Sequence, residues 1–212
     1  RHTLMKKSKK SRKSRNWIIN QHRDQFFKKS KVLGFRSRAA FKLIELNKKF
    51  NFIKKNSCVL DLGSTPGGWS QVAEKIAING KILAIDRIPM DKIKNITFFQ
   101  EDFLEEKTKK KIVNFFGSKI DVILSDMAEN TTGNKSLDAI RTNSLCMEVL
   151  ILSLKILSQN GTVISKIFMG DDFLTVKDFA KNNFKKVHFF KPESSKSESK
   201  ETYIHCSLLK TL

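Results

Sequence analysis

Two charged residues interrupt apolar segments of the sequence, and they are the first candidates for chemistry. Lys166 lies inside the run TVISKIF, at the carboxyl end of a predicted central strand, and Asp126 directly follows the run DVILS. An ion that is buried without a partner carries a large desolvation penalty. The sequence therefore predicts that both side chains reach a cleft.

A glycine-rich loop follows the first predicted strand and reads VLDLGSTPGGW over residues 59–69. Its spacing, D-x-G-x-x-x-G-G, lacks the close first glycine pair of the G-x-G-x-x-G fingerprint that holds a dinucleotide pyrophosphate. S-adenosylmethionine carries no phosphate and instead needs space beside the backbone for its methionine part. We predict that Gly63, Gly67 and Gly68 supply that space.

Two aspartates stand at the ends of the next strands. Asp86 ends the segment ILAID, where a carboxylate that binds ribose belongs, and Asp102 follows the third strand, near the expected position of the adenine. Together with the glycine-rich loop, these aspartates predict a site for S-adenosylmethionine at the carboxyl ends of the strands. The alternative is a glycine-rich turn followed by two aspartates that only cap strand ends.

The elements that must position these residues alternate along the chain. Short apolar segments alternate with longer segments of helical periodicity, which is typical of a doubly wound α/β fold with a mostly parallel sheet and helices on both faces. The predicted strands cover residues 58–62, 81–85, 96–99, 121–124, 162–168, 186–190 and 202–208. The predicted helices cover residues 39–50, 68–78, 104–116, 137–157 and 172–181, after a helical pattern that begins at Asn16.

Positive charge is concentrated at the front of the chain. Residues 1–60 contain 19 basic and two acidic side chains, whereas residues 61–212 contain 22 basic and 19 acidic ones, in a chain of net charge +20. This division excludes an ordinary metabolic enzyme without a polyanionic partner, and it favours contact with nucleic-acid phosphates. A tail that only improves solubility is the alternative.

The same division suggests how the chain is organised. We predict a mobile basic tail over residues 1–15 and a single domain over residues 16–212. Within that domain, a helical extension for RNA binding covers residues 16–56, and a cofactor-binding and catalytic core covers residues 57–212. In the extension, Ser37 is the predicted N-cap of the second helix. The predicted apolar stripe of this helix consists of Phe41, Ile44 and Leu46.

Several classes of protein are not expected from this sequence. Its apolar segments are shorter than the roughly 20 residues of a membrane-spanning helix, and its histidines and cysteines show no ligand spacing for zinc. Cys58, Cys146 and Cys206 are embedded in apolar segments, which indicates buried thiols in a reducing compartment. We expect a cytoplasmic, metal-free monomer, although a mitochondrial protein could have a similar sequence.

Five segments resemble the FtsJ/RrmJ-type family of RNA ribose 2′-O-methyltransferases. They are PGGW (66–69), LSDMA (124–128), SKIF (165–168), RSRAAFKL (36–43) and KPESSKSESKETYI (191–204). The resemblance extends over about residues 17–209 and is greatest to bacterial members that modify large-subunit ribosomal RNA. It implies a Rossmann-like, seven-stranded sheet with an antiparallel last strand, S-adenosylmethionine as cofactor, and ribosomal RNA as partner, methylated at a uridine of the large-subunit RNA.

The resemblance also implies which residues are functional. The catalytic tetrad of the family falls on Lys42, Asp126, Lys166 and Glu201, and the assignment of Glu201 rests on the resemblance alone. The cofactor contacts of the family fall on Gly67, Trp69, Asp86, Asp102 and Asp126.

Three positions depart from the pattern of the family. Ser64 and Thr65 precede PGGW where two alanines are usual, Glu129 follows SDMA where a proline is usual, and Glu101 stands before Asp102 where a small residue is common. The last change adds negative charge near the expected adenine. None of the three removes a member of the tetrad.

Methyl transfer to a ribose hydroxyl requires a positioned oxygen whose proton can leave. Lys166 would be either the base that removes the proton or the group that orients the hydroxyl. A lysine base must have a pKa well below about 10.4, which the nearby ammonium group of Lys42 would favour and the carboxylate of Asp126 would oppose. Glu201 would hold Lys42 or steer the hydroxyl.

The predicted activity is 2′-O-methylation of ribosomal RNA by S-adenosylmethionine, with Arg36, Arg38 and Lys42 as candidate contacts to RNA phosphates. The alternatives are a 2′-O-methyltransferase for tRNA or another RNA, and a non-catalytic RNA-binding factor of ribosome assembly. The intact tetrad argues against the assembly factor. Base methylation is disfavoured, because SDMAEN replaces the proline-rich motif of enzymes that methylate base amino groups and no cysteine suits a cytosine-C5 enzyme.

Overall fold

The computed structural model describes residues 24–128, 132–170 and 172–210 of the chain. The predicted tail, most of the helix predicted from Asn16, and Glu129 lie outside the described residues. No helix within the described ranges is long and apolar enough to cross a membrane.

Seven strands form one sheet. They are β1 Val59–Leu62, β2 Ile82–Asp86, β3 Ile96–Gln100, β4 Ile120–Ser125, β5 Leu157–Phe168, β6 Phe184–Phe190 and β7 Glu201–Leu209. Their order in the sheet is β3-β2-β1-β4-β5-β7-β6. All neighbouring strands are parallel except β7, which runs antiparallel to both β5 and β6. The predicted fold class and the antiparallel last strand are confirmed.

The central strands have the composition that their position requires. Strands β1 and β4 are rich in Val, Ile and Leu and are buried along almost their whole length, and β5 is buried over residues 161–167, as expected for parallel strands covered on both faces. Strand β5 begins at Leu157 rather than at residue 162, because its pairing with β4 continues across a register shift between Ile120 and Val122.

Helices cover both faces of the sheet. They are α1 Gln25–Val32, α2 Ala39–Phe50, α3 Gly68–Ile76, α4 Glu106–Phe116, α5 Lys135–Ile156 and α6 Phe173–Asn183. On one face, α1, α2 and α3 pack around a core that includes Leu43 and Val72. On the other face, α4, α5 and α6 pack around a core that includes Val149 and Val176.

The helical extension differs from its prediction at Asp24. Asp24 has an extended backbone, and its carboxylate accepts hydrogen bonds from the backbone N–H groups of Phe26 and Phe27. It is therefore the N-cap of α1. The helical pattern predicted from Asn16 therefore does not continue through Asp24.

Helix α2 has the predicted bounds, but two details of its prediction were wrong. Arg38 occupies the N-cap position and makes no side-chain capping bond, whereas Ser37 packs against Gly68 of α3, where an added Cβ would overlap its hydroxyl. Ile44 is 37 % exposed and lies outside the buried stripe. The buried residues of α2 are Ala40, Phe41, Leu43 and Leu46.

Candidate active site

Four elements bring the predicted tetrad (Lys42, Asp126, Lys166 and Glu201) to one edge of the sheet. Lys42 lies in the first turn of α2, Asp126 directly follows β4, Lys166 lies near the end of β5, and Glu201 begins β7. Because β7 is antiparallel to β5, its first residue, Glu201, pairs with Phe168 at the end of β5.

The four charged groups form a cluster in which each lysine lies near both carboxylates. Nζ of Lys42 lies 2.7 Å from Oε1 of Glu201 and 3.8 Å from Oδ1 of Asp126. Nζ of Lys166 lies 2.8 Å from Oδ1 of Asp126 and 3.6 Å from Oε2 of Glu201. Lys166 also donates to the backbone carbonyl of Asp126 at 2.8 Å, and it is only 8 % exposed. The two lysines thus neutralise the two carboxylates at short range.

This pairing determines the charge state of the tetrad. Burial alone would lower the pKa of Lys166 and raise the pKa values of Asp126 and Glu201. Opposite charges outweigh burial at all three residues, so the pKa of Lys166 lies above its ordinary value and those of the two carboxylates lie below theirs. Lys166 is therefore an ammonium group, and the shift of its pKa is opposite to the shift that a lysine base requires.

Two hydroxyl groups that the sequence analysis missed complete the cluster. The hydroxyl of Tyr203 donates to Oδ1 of Asp126, and the hydroxyl of Ser195 donates to Oε1 of Glu201 at 2.8 Å. Tyr203 is the single tyrosine of the chain and is fully buried. Its position two residues after Glu201, and hence on the same face of β7, was the available signal. Ser195 lies in a loop rich in Ser, Lys and Glu and gave no signal.

Helix α2 also holds the loop that carries Ser195. The carboxylate of Glu45 accepts hydrogen bonds from the backbone N–H groups of Glu193 and Ser194, at 2.6 and 3.1 Å. Ser194 is fully buried. The helix that provides Lys42 therefore also fixes the loop whose serine orients Glu201.

The two arginines that were predicted to contact phosphates are held by protein acceptors. The guanidinium group of Arg38 pairs with Asp24 and donates to the backbone carbonyl of Ser194. The guanidinium group of Arg36 donates at 2.6–3.3 Å to three backbone carbonyl groups, those of Pro66, Asp91 and Lys92. Both arginines tie separate loops together, and their contact with RNA stays a prediction.

A cavity of about 260 Å³ lies beside the tetrad, at the carboxyl ends of strands β1 to β4. Asp126 belongs to its lining as well as to the tetrad. Of the residues predicted to bind the cofactor, Gly63, Asp86 and Asp102 also line it. A Cβ on Gly63 would overlap the side chain of Met127, so only glycine leaves room for this part of the wall.

Backbone N–H groups fix both aspartates at the edge of this cavity. Asp86 accepts hydrogen bonds from the N–H groups of Thr65 and Ile88, each at 2.9 Å. Asp102 accepts one from the N–H group of Leu104, also at 2.9 Å. Each carboxylate oxygen has two lone pairs. Both aspartates can therefore accept further hydrogen bonds from a ligand.

Three residues that the sequence assigned to the cofactor lie outside the lining of this cavity, namely Gly67, Gly68 and Trp69. Gly68 allows α3 to approach Ser37 of α2 closely. Trp69 is buried, its Nε1 donates to the backbone carbonyl of Ala39 at 2.8 Å, and its ring packs 5.6 Å from that of Tyr203. These contacts join α3 to α2 and to β7, and a contact with the cofactor stays a prediction for all three residues.

Two of the residues that depart from the family pattern, Thr65 and Glu101, have local partners. Thr65 donates from its hydroxyl to the backbone carbonyl of Ile88 at 2.9 Å and so ties the glycine-rich loop to the segment after β2. Glu101 pairs with Lys111, which lowers the pKa of Glu101, and it accepts a hydrogen bond from Thr108 at 3.0 Å. The extra negative charge beside the cavity is therefore partly compensated.

Asp61, in the middle of β1, is a buried carboxylate without a cationic contact among the described residues. It is 1 % exposed and accepts a hydrogen bond of 2.5 Å from the hydroxyl of Ser70. Burial raises the pKa of Asp61 to about 7, with help from the charges of Asp126 and Asp86 and against the hydrogen bond from Ser70. Asp61 therefore titrates near neutral pH.

Comparison with known proteins identifies the family. Residues 35–208 match the model of the FtsJ-like methyltransferases. The chain belongs to this family. This FtsJ-like chain is 44 % identical over 202 residues to the ribosomal RNA large subunit methyltransferase E of Pelagibacter ubique, with 95 % of this chain and 100 % of the relative covered. The protein of the same name from Rickettsia akari is 43 % identical, with coverage of 92 % and 89 %.

Solved structures show the same relationship. A crystal structure from Plasmodium falciparum that is named as a ribosomal RNA methyltransferase has a TM-score of 0.74 at 35 % identity, and covers 82 % of this FtsJ-like chain and 98 % of its own. Human methyltransferase-like protein 13, in complex with SAH, has a TM-score of 0.57 at 15 % identity, with coverage of 80 % and 79 %. The second likeness shows a shared Rossmann-like fold. Membership of a methyltransferase family implies the use of S-adenosylmethionine.

The described part of this FtsJ-like chain contains no group of three or more His, Cys, Asp or Glu side chains that could hold a metal ion. Its three cysteines are free; Cys146 and Cys206 are buried as expected, whereas Cys58 is partly exposed. Burial raises the pKa of Cys146 to about 12, so this thiol stays protonated.

Proposed function

We propose that this chain transfers a methyl group from S-adenosylmethionine to a ribose 2′-hydroxyl of large-subunit ribosomal RNA. The observation that carries the proposal is the tetrad, in which each lysine Nζ lies within 4 Å of both carboxylates and in which Asp126 also lines the neighbouring cavity. The names of relatives at 43–44 % identity over nearly the whole chain support a ribosomal RNA substrate.

The cavity suits the chemistry of the cofactor. Asp86 and Asp102 present acceptor oxygens for ribose hydroxyl and adenine amino groups, while Phe103 and Leu145 offer apolar surface to a heterocycle. When bound, S-adenosylmethionine supplies a methyl group that its positive sulfonium makes electrophilic. The ionised carboxylate of Asp126 would favour this positive charge from the side of the tetrad.

In this proposal the tetrad orients the hydroxyl and accepts its proton. The ammonium group of Lys166 donates a hydrogen bond to the hydroxyl oxygen, and an ionised carboxylate of Asp126 or Glu201 accepts the hydroxyl hydrogen. One lone pair of the 2′-oxygen then remains free to form the new bond to the methyl carbon. Lys42 holds Glu201 in place through its contact at 2.7 Å. Positioning of this kind and electrostatic stabilisation supply a large share of the rate in such reactions.

The substrate is proposed to be ribosomal RNA within the large subunit, with a uridine as the methylated nucleotide. The charge of the first 60 residues, with 19 basic and two acidic side chains, supports a polyanionic partner. We also propose that the protein acts as a monomer in the cytoplasm, where ribosomes are assembled. A tRNA substrate is the alternative that the experiment below must exclude.

Mapping the modified nucleotide tests the proposal. The wild-type chain and the Lys166→Met variant are incubated with labelled S-adenosylmethionine and either large ribosomal subunits, free ribosomal RNA or tRNA. We expect the wild type to place label on a 2′-oxygen of the large-subunit RNA, as nuclease digestion and mass spectrometry would show. We expect almost no label from the variant, which keeps the apolar stem of the lysine but not its charge.

The same experiment separates the competing functions. Label on tRNA alone would replace the proposed substrate with another RNA. Absence of label from the wild type on every RNA, together with tight binding to the large subunit, would instead identify a non-catalytic assembly factor.

A further inference from the structure

We propose that a second cavity, at the end of α2 opposite the tetrad, binds a nucleotide of the substrate RNA through its phosphate and its base. This inference rests on the proposed function, because that function makes RNA the partner. The cavity has a volume of about 630 Å³ and lies where the end of α2 meets strands β5, β6 and β7. We call it the far cavity.

The charge of the far cavity suits a phosphate. Three exposed lysines line it, Lys49, Lys54 and Lys186, and none of them forms an ion pair within the part of the chain that the structure describes. One carboxylate, that of Asp121, also lines it, and this group accepts a hydrogen bond of 2.8 Å from the backbone N–H of Cys58. The excess of cations favours a polyanion over an acidic side chain that would bring only one charge.

The rings of the far cavity suit a nucleobase. Phe50 stacks on His205 with a centroid distance of 4.2 Å and an interplanar angle of 14°, and His188 lies 5.7 Å from His205. Aromatic rings beside a basic groove are the usual platform for unpaired bases. The far cavity therefore combines the two features by which proteins hold single-stranded RNA.

His205, which lines the far cavity, has an unused polar atom. It is 6 % exposed, and its Nδ1 is buried with no hydrogen-bond partner among the described residues. Burial and the neighbouring His188 lower the pKa of His205 to about 4, so the ring is neutral at physiological pH. A neutral imidazole does not repel the lysines, and its nitrogen can be satisfied by the polar edge of a base.

Two unusual backbone conformations occur in the wall of the same cavity. Asn51 and Leu208 have φ angles of 52° and 62°. Asparagine adopts this left-handed region readily, but leucine rarely does, and such residues cluster at ligand sites. The conformation of Leu208 fits a wall that is shaped for a ligand.

The far cavity lies on the same face of the sheet as the tetrad. Glu201, Tyr203 and His205 alternate along β7 and therefore share one face. Four residues of extended strand separate Glu201 from His205, which is about 13 Å, and eight residues of helix separate Lys42 from Phe50, which is about 12 Å. At 3.4 Å per stacked nucleotide, an RNA strand would reach the far cavity about four nucleotides from the methylated one.

Matched charge variants of the full chain test this site. In the site variant, Lys49→Gln, Lys54→Gln and Lys186→Gln are combined. In the control variant, Lys110→Gln, Lys155→Gln and Lys181→Gln remove the same charge from exposed lysines of α4, α5 and α6, on the opposite face of the sheet. The probe is a single-stranded RNA of twelve nucleotides, and the dissociation constant is measured by fluorescence anisotropy at several salt concentrations.

We expect the site variant to bind the twelve-nucleotide RNA about tenfold more weakly than the control variant, and to lose about two units of its salt slope, as three lost phosphate contacts imply. Phe50→Leu, which retains an apolar side chain, should weaken binding severalfold and leave the salt slope unchanged. Equal losses in the site and control variants would overturn the proposal, since the effect would then belong to the net charge. Displacement of the RNA by an acidic peptide of equal length and charge would also overturn it, in favour of a protein partner.

The outcome can be separated from that of the proposed function, because these measurements need neither cofactor nor catalysis. If the wild type methylates ribosomal RNA and the two triple variants bind RNA equally, only the far cavity is refuted. If the wild type methylates no RNA but the site variant alone loses affinity, the far cavity is supported and only the proposed activity fails.

Discussion

The tetrad and the far cavity lie near opposite ends of helix α2 and strand β7, and the two sites use their lysines in opposite ways. In the tetrad, Lys42 and Lys166 are largely buried, and each lies within 4 Å of two carboxylates. In the far cavity, the three lysines are exposed and make no ion pair with any described residue. Paired charges in a dry site fix the position of one reacting atom, whereas unpaired charges in water attract phosphates from a distance and are screened by salt. The difference suggests that one end performs chemistry and the other holds the RNA.

The largest expected effect comes from removing a charge of the tetrad. Lys166→Met should lower kcat for RNA methylation by at least about 10³-fold, since it removes a hydrogen-bond donor aimed at the reacting oxygen. The dissociation constant for RNA should change by less than about twofold. Single-turnover kinetics and anisotropy would measure the two quantities, with Lys155→Met as an exposed control. If Lys166→Met retained activity but lost RNA affinity, the tetrad would be assigned to RNA binding rather than to catalysis.

Asp61 extends the comparison, because it shows the pKa of a buried carboxylate that has no lysine partner among the described residues. Its pKa is about 7 in the folded chain and about 3.9 in the unfolded chain. The stability that the protonated form provides is therefore complete below about pH 4 and is lost as the pH rises through 7. Between pH 5 and pH 8 this loss amounts to about 2–3 kcal/mol in the free energy of unfolding.

Asp61→Asn should remove this part of the pH dependence, because the amide carries no charge and its oxygen can still accept from Ser70. Urea unfolding at pH 5 and pH 8 measures the effect, with the exposed Asp91→Asn as control. An unchanged difference between the two pH values in Asp61→Asn would show that the charge of Asp61 is compensated in the folded chain.

A smaller effect is expected from Tyr203, which contacts the tetrad but carries no charge. Tyr203→Phe removes the hydrogen bond to Asp126 and should lower kcat about ten- to hundredfold, because hydrogen bonds to charged groups contribute about 1.5–3 kcal/mol. The KM for RNA should stay the same. Steady-state kinetics would distinguish this result from a rise in KM, which would assign Tyr203 to RNA binding instead.

The smallest expected effect is that of pH on the tetrad. The pKa of Lys166 lies above its ordinary value and those of Asp126 and Glu201 lie below theirs. All three groups therefore keep their charge between about pH 6 and pH 9, and kcat should vary by less than about twofold over that range. A tenfold rise in kcat per pH unit in single-turnover assays would contradict the orienting function and restore Lys166 as a neutral base.

The sequence alone predicted the backbone well, because the signals are local. Strands of the sheet were recognised from runs of Val, Ile and Leu, and Lys166 and Asp126 stood out because each is a charge beside such a run. Glu201 could be found only from the family resemblance, since its surroundings in the sequence are polar. Ser195 could not be found, because it is one of four serines in the polar loop before β7, and only the folded loop shows which of them donates to the Glu201 carboxylate.

The errors of the prediction have a similar cause. Ser37 has the right residue type for an N-cap, but the close approach of α3 at Gly68 places its side chain in a helix contact. Trp69, whose contact with the cofactor stays a prediction, packs its indole against Ala39 and Tyr203, and the sequence motif does not indicate these contacts. In both cases tertiary packing decides what the side chain contacts, and no local pattern reports it.

The packing of Trp69 on Tyr203 places an intrinsic fluorophore, the indole of Trp69, next to the active site. Trp69 lies 5.6 Å from the one tyrosine of the chain, and that tyrosine donates to Asp126. Light absorbed by the phenol at this separation passes to the indole almost completely, so emission from the indole reports the immediate surroundings of the tetrad. Because the chain has two tryptophans, replacing Trp17 by phenylalanine would leave a single emitter there, and events at the tetrad could be followed in real time without an attached dye.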